Sequence, residues 1–202
     1  MVQLFIDGGG FMWPILFIFI IGFVFVGERL YHLVKGLASD EVFANDVAET
    51  YKKSGTKVAQ KMCENSLGPV SNLCYSALNK ADEGLEAAEK TLDQSGSIEM
   101  ASLEKNMTWI SLCIATAPML GFLGTVWGMI QAFNDIKMAN DISPAVVAGG
   151  ISVALLTPAF GLVVAVVLQI LQNAVMYIID NQIVTLQKST TMILDAISSK
   201  KK

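Results

Sequence analysis

Thr125 and Thr157 each place a hydroxyl inside a long stretch of sequence that contains no Asp, Glu, Lys or Arg, and each has a proline close by, Pro118 and Pro158. With Thr125 at zero on a helical wheel, Ser111, Pro118, Gly121, Gly128 and Ala132 all fall within about 60° of it. Gly150, Ala154, Thr157, Gly161 and Ala165 share a second narrow face. Two chemistries suit such a pattern. Small side chains let helix backbones approach closely, which assigns Gly121, Gly124, Gly128, Gly150, Ala154 and Gly161 to helix packing. The oxygens suit a polar lining: the hydroxyls of Thr125, Thr157 and Ser111, with carbonyls freed by Pro158, can bind water or an ion along a path or face a partner.

An absence constrains the chemistry as much as the oxygens do. No Asp, Glu, Lys, Arg or His lies near the centre of these stretches. A proton relay or ion-coupling site in a membrane generally needs an ionisable group, so a second chain must bring the carboxylate if this one serves ion flow. Catalytic residues are not expected: no nucleophile, acid–base pair or phosphate-binding loop is visible. A metal site is not expected either. Cys63, Cys74 and Cys113 lack metal-type spacing, and His32, beside Arg29 and Lys35, reads as an interfacial side chain. No cofactor is called for. The net charge of −4 argues against nucleic acid as a partner.

The elements that must carry these residues follow from the charge pattern. Of 202 residues, 87 lie in three charge-free stretches, 8–27, 106–134 and 142–179. A hydrocarbon core of roughly 30 Å needs about 20 apolar residues as a helix. The fold class is therefore an all-α integral membrane protein with three transmembrane helices. The first stretch lacks the positive n-region of a signal peptide and reads as a retained anchor. Trp13 serves as its interface anchor, and the glycines at 8, 9 and 10 give it a flexible entry. The expected organisation is an outer N-terminus (1–10), helix one (11–31), a cytoplasmic helical domain (36–105) and helix two (107–136). A short outer loop (137–143), helix three with a cytoplasmic extension (144–179) and a cytoplasmic C-terminal helix and tail (180–202) follow. Arg29, Lys35, Lys105, Lys188 and the Lys200–Lys202 tail set this orientation by the positive-inside rule. Thirty-eight helical residues would span about 57 Å, so the third helix must overrun the bilayer, and Gln169, Gln172 and Asn173 suit a projecting or cavity-lining end. The acids from Asp82 to Asp93 read as a solvated face of the cytoplasmic domain.

Two segments resemble the signatures of the MotA/TolQ/ExbB family. Residues 117–130 read APMLGFLGTVWGMI, similar to the family's second-span pattern, and residues 149–162 read GGISVALLTPAFGL, similar to its third-span pattern. Glu28-Arg29-Leu30 after the first span also fits, and the ExbB/TolQ-type three-span subunits are the nearest in topology. The resemblance implies a homopentameric ring around two copies of a single-span partner of the ExbD/TolR type, which supplies a transmembrane aspartate. It implies ion flow, of protons or alternatively sodium, coupled to rotation and to energising outer-membrane transport or envelope processes from the bacterial inner membrane. A flagellar-stator-like, gliding or secretion motor and a non-conducting scaffold are the alternatives. The family threonine near the partner's aspartate corresponds to Thr125. In the third span the pattern departs: Val153 stands where ExbB and TolQ proteins commonly carry glutamate, and Pro158 where they carry threonine, with Thr157 just before it.

Overall fold

The computed structural model describes residues 2–36, 40–66, 68–139 and 144–200. Lys201, Lys202 and residues 140–143 of the expected outer loop lie outside the described residues, as do the side-chain surroundings of Gly150, Val153 and Lys200. Within the described residues every regular element is α-helical: α1 (Val2–Asp7), α2 (Met12–Gly36), α3 (Asp40–Ser54), α4 (Thr56–Glu64), α5 (Pro69–Lys80), α6 (Leu85–Leu103), α7 (Met107–Ala139) and α8 (Pro144–Lys200). Three stretches, within α2, across α6 and α7, and within α8, are long and apolar enough to cross a membrane. An all-α chain with three candidate spans is thus observed. The N-terminus holds one surprise: Val2–Asp7, within the segment 1–10 for which no helix was expected, forms a helical turn and a half, with Phe5 edge-on to Trp13 at 5.4 Å.

The chain divides into two compact units. One comprises residues 1–28 and 106–174, the other 29–105 and 175–202. In the first, α1 and the N-terminal part of α2 accompany α7 and the N-terminal part of α8. Its interior is narrow, with Met12, Ile15, Ile110, Ala117 and Leu168 at 2% exposure or less. Its outside is apolar instead of charged: Trp13, Phe17, Phe23, Met119, Phe122 and Leu162 are all exposed. That inversion suits a unit whose solvent is lipid or other copies of a membrane protein. Pro118 and Pro158 sit inside α7 and α8. Each removes one ladder hydrogen bond, releasing the carbonyls of Ile114 and Ala154.

The second unit has an ordinary aqueous architecture. Ala44, Val47 and Tyr51 of α3, Cys63 of α4, Leu73 and Leu78 of α5 and Leu92 of α6 form one core with Leu186, Ile193 and Ile197 of α8. Ser71, buried at the start of α5, ties the α4–α5 corner by hydrogen bonds from its hydroxyl to the carbonyls of Cys63 (2.6 Å) and Ser66 (3.0 Å). Arg29 is 5% exposed, and its guanidinium donates to the Ser102 carbonyl (3.4 Å). Gln182 of α8 donates from Nε2 to the Leu33 carbonyl (3.0 Å). The buried Cys63 thiol is pushed up to about 11 by burial and then by the neighbouring Glu64 carboxylate.

Candidate functional site

The site is built where the small-residue faces of α7 and α8 meet inside one chain. Glycine at three points on α7 lets the α8 backbone in. A Cβ at position 121 would lie 2.8 Å from Pro158 Cα, one at 124 would lie 2.6 Å from Thr157 Oγ1, and one at 128 would lie 3.2 Å from Ala154 Cα. The approach is reciprocal, since a Cβ at Gly161 would lie 2.6 Å from the Ala117 carbonyl oxygen. The seam therefore runs Gly128–Ala154, Gly124–Thr157, Gly121–Pro158 and Ala117–Gly161. Gly22 of α2 fits against the same pair, where a Cβ would lie 2.7 Å from Leu168 Cδ1 and 3.3 Å from Cys113 Cβ.

The oxygens anticipated from sequence are placed differently from one another. Thr125 lies at the edge of the seam, half-buried, and its hydroxyl donates to the Phe122 carbonyl of its own helix (2.6 Å). Both lone pairs of that oxygen stay available for an outside donor or cation. Thr157 is enclosed, at 1% exposure, and Oγ1 finds no hydrogen-bond partner among the described residues. Leaving such a group unpaired costs about 1–3 kcal/mol. Pro158 is half-buried beside Gly121. Ser111 sits farther along α7 on an exposed surface, where its hydroxyl accepts from Gln172 Nε2 (2.6 Å). Gln169 Nε2 donates in turn to Asn173 Oδ1 (3.1 Å). The structure thus brings Thr157, Pro158 and the glycines together, sets Thr125 at their margin, and places Ser111 in a separate amide cluster.

Two features went unread in the sequence. A pocket of about 340 Å³ opens beside the seam, lined by Gly8, Gly9, Gly10, Phe11, Gly124, Trp127, Gly128, Gln131 and Thr157. Its wall depends on the residues between α1 and α2, which composition marked only as flexible. Asn106 adopts φ 65° immediately before α7, and its amide donates to Glu28 Oε2 (2.8 Å). Asparagine is one of the few non-glycine residues that visit this left-handed conformation routinely. Among the described residues no cluster of His, Cys, Asp or Glu could hold a metal ion.

The profile of the MotA/TolQ/ExbB proton channel family matches residues 57–188, which include the whole seam. A putative biopolymer transport protein ExbB homolog of Methanothermobacter thermautotrophicus is 30% identical over 183 residues, covering 90% of this chain and 65% of that protein. The putative biopolymer transport protein ExbB-like 3 of Synechocystis is 26% identical over 193 residues, 92% of this chain and 90% of that protein. The biopolymer transport protein ExbB of Neisseria gonorrhoeae is 30% identical over 147 residues, 68% of this chain and 66% of that protein. The chain thus spans about two thirds of the length of two of these three relatives.

Proposed function

This chain belongs to the MotA/TolQ/ExbB proton channel family, and from that membership we propose that it is the ring subunit of an ion-driven motor in the bacterial inner membrane. Five copies surround two copies of a single-span partner of the ExbD/TolR type. The ring couples ion flow to rotation and so energises outer-membrane transport or envelope processes. The N-terminus lies on the outer side, and the 29–105 helices together with the C-terminal part of α8 lie in the cytoplasm.

One observation carries this reading. A half-buried hydroxyl, Thr125, stands at the edge of a tightly packed seam in a segment with no Asp, Glu, Lys, Arg or His from 106 to 134. Such an oxygen can pass a proton or help dehydrate a cation, but it cannot hold the charge that makes transport directional. The carboxylate that does so must project from another chain onto the Thr125 side. Val153, at a position commonly glutamate in ExbB and TolQ proteins, leaves that task to the partner alone.

The test is ion uptake by vesicles containing the ring and its partner. Thr125→Val keeps the side-chain shape and removes the oxygen. It lowers uptake by at least about tenfold, equivalent to roughly 1.4 kcal/mol on the barrier, while the oligomer still assembles. Uptake unchanged by Thr125→Val sinks the assignment. Protons are the expected ion: uptake persists without sodium and collapses with a protonophore, whereas the reverse pattern assigns sodium.

A further inference from the structure

The second unit carries a groove of about 350 Å³ between α6 and α8 that its own packing leaves open. The floor is apolar: Leu92 and Leu186 belong to the core, and Met100 lies half-buried beside them. The rim is polar, with Asp93 and Ser97 from α6 and Gln187 and Thr190 from α8. What the rim offers is one-sided. The Ser97 hydroxyl donates to the Asp93 carbonyl (2.8 Å) and the Thr190 hydroxyl to the Leu186 carbonyl (3.0 Å), so both protons are spent within their own helices. Toward a ligand each hydroxyl presents only lone pairs. The exposed Asp93 carboxylate has no hydrogen bond or ion pair among the described residues. Glu86 and Glu89, also exposed, fall within about 40° of Asp93 around α6. Lys90 and Lys188 adjoin the groove without lining it.

An acceptor-rich, negative rim over an apolar floor suits a cation on an apolar stem, the make-up of a lysine or arginine side chain. We propose that this groove docks the Lys/Arg-rich segment that follows the membrane span of the single-span partner into the cytoplasm, stems on Leu92, Met100 and Leu186 and a charged head at Asp93. The inference rests on the ring-and-partner reading and adds where the partner's cytoplasmic end is held. The occupant's charge follows from the positive-inside rule, which enriches Lys and Arg within about 15–20 residues of a span's cytoplasmic end. The reach is sufficient. Thr190 lies fifteen residues beyond Val175, where the second unit begins on α8, about 22 Å along the helix. About seven extended residues cover that distance. Gly96 forms part of the wall, and a Cβ there would meet only Leu73 Cδ1 at 3.6 Å, an ordinary contact. Packing within the chain therefore does not call for a glycine, whose bare backbone keeps the groove wide. A metal ion is a poor fit, since a single carboxylate lines the space.

The test uses the full chain in complex with its co-expressed single-span partner, in a neutral detergent. p-Benzoylphenylalanine replaces Gln187 on the rim, and the peptides captured on illumination are mapped by mass spectrometry. Capture of partner residues within about twenty of its span on the cytoplasmic side is expected, lowered at least about tenfold by Asp93→Lys. Capture of another copy of this chain, no capture, or capture indifferent to Asp93→Lys overturns the proposal. A second measurement needs no partner: fluorescence anisotropy of a labelled lysine–leucine peptide titrated with the full chain alone. Binding at least about tenfold weaker to Asp93→Lys, with Asp93→Asn between, supports the site, and equal binding by all three chains overturns it. Both substitutions fall on an exposed side chain, so an unchanged melting temperature should accompany them. If no partner co-purifies with the unaltered chain, the ring-and-partner reading fails and takes the docking with it. If the complex forms and the groove captures nothing of the partner, the docking alone fails.

Discussion

At the scale of single residues, the glycines of the seam are not interchangeable, and the distances rank them. Gly161→Ala sets a methyl against the Ala117 carbonyl oxygen at 2.6 Å, where only a shift of one helix backbone relieves it. Gly22→Ala meets the end of the Leu168 side chain, which can rotate away. Gly161→Ala should cost about 1–3 kcal/mol through overpacking, and Gly22→Ala clearly less; thermal unfolding of the two variants in the same detergent measures the difference. Cys63 offers a second check, in the second unit. Its thiol titrates at about 11 in the fold against an ordinary 9.0. Because the folded value is raised, the associated stability is complete below pH 9 and is lost as pH rises from 9 through 11. Alkylation of Cys63 in the native chain at pH 8 should therefore be slow and should become fast on unfolding, which peptide mapping by mass spectrometry reads directly. Sequence periodicity placed Thr125 and Thr157 on small-residue faces, but it could not say which hydroxyl was enclosed. That depends on the angular offset between two helices, and residues 124 and 157 meet only once α7 and α8 are brought together.

Among the elements, the junction before α7 shows how one residue ends a helical run and starts another. Asn106 takes a left-handed conformation, accepts the Trp109 N–H at 3.1 Å and holds Glu28 through its amide. Asn106→Gly keeps the backbone freedom and loses the side-chain bond. Asn106→Ala loses the bond and adds about 1–2 kcal/mol of left-handed strain, so it should lower the melting temperature further; differential scanning fluorimetry of the pair separates the two terms. The long helices were legible because three charge-free stretches of 20, 29 and 38 residues announce themselves. Their ends were less so: α2 runs to Gly36 and α7 to Ala139, beyond the expected 31 and 136. Polar residues at those ends carry the apolar pattern past its limit without breaking the backbone ladder. The helix Val2–Asp7 escaped notice altogether, since six residues are too few to form a helix unaided. Contact between Phe5 and Trp13 holds it, and that contact could not be read from either residue alone.

For the whole molecule, composition made three long apolar helices plain, and the family motifs supplied what composition could not, the expectation of a ring and a partner. The short helices α3 to α6 were anticipated only as a helical domain, because amphipathic segments of nine to nineteen residues can pair in several ways until Cys63, Leu73, Leu78 and Leu92 select one core. Native mass spectrometry of the chain co-expressed with its single-span partner should return a five-to-two complex, and a ring without partner density would refute that stoichiometry. One further consequence lies in how the chain is made. The seam between α7 and α8 spends the small residues of both helices inside one polypeptide, and leaves large apolar side chains such as Met119, Phe122, Leu155 and Leu162 outermost. A hairpin of this kind can zip shut as it leaves the insertion machinery, before any sister copy is near. The close fit of the two helices needs nothing from a second chain, so in the proposed ring each hairpin can be complete before copies meet.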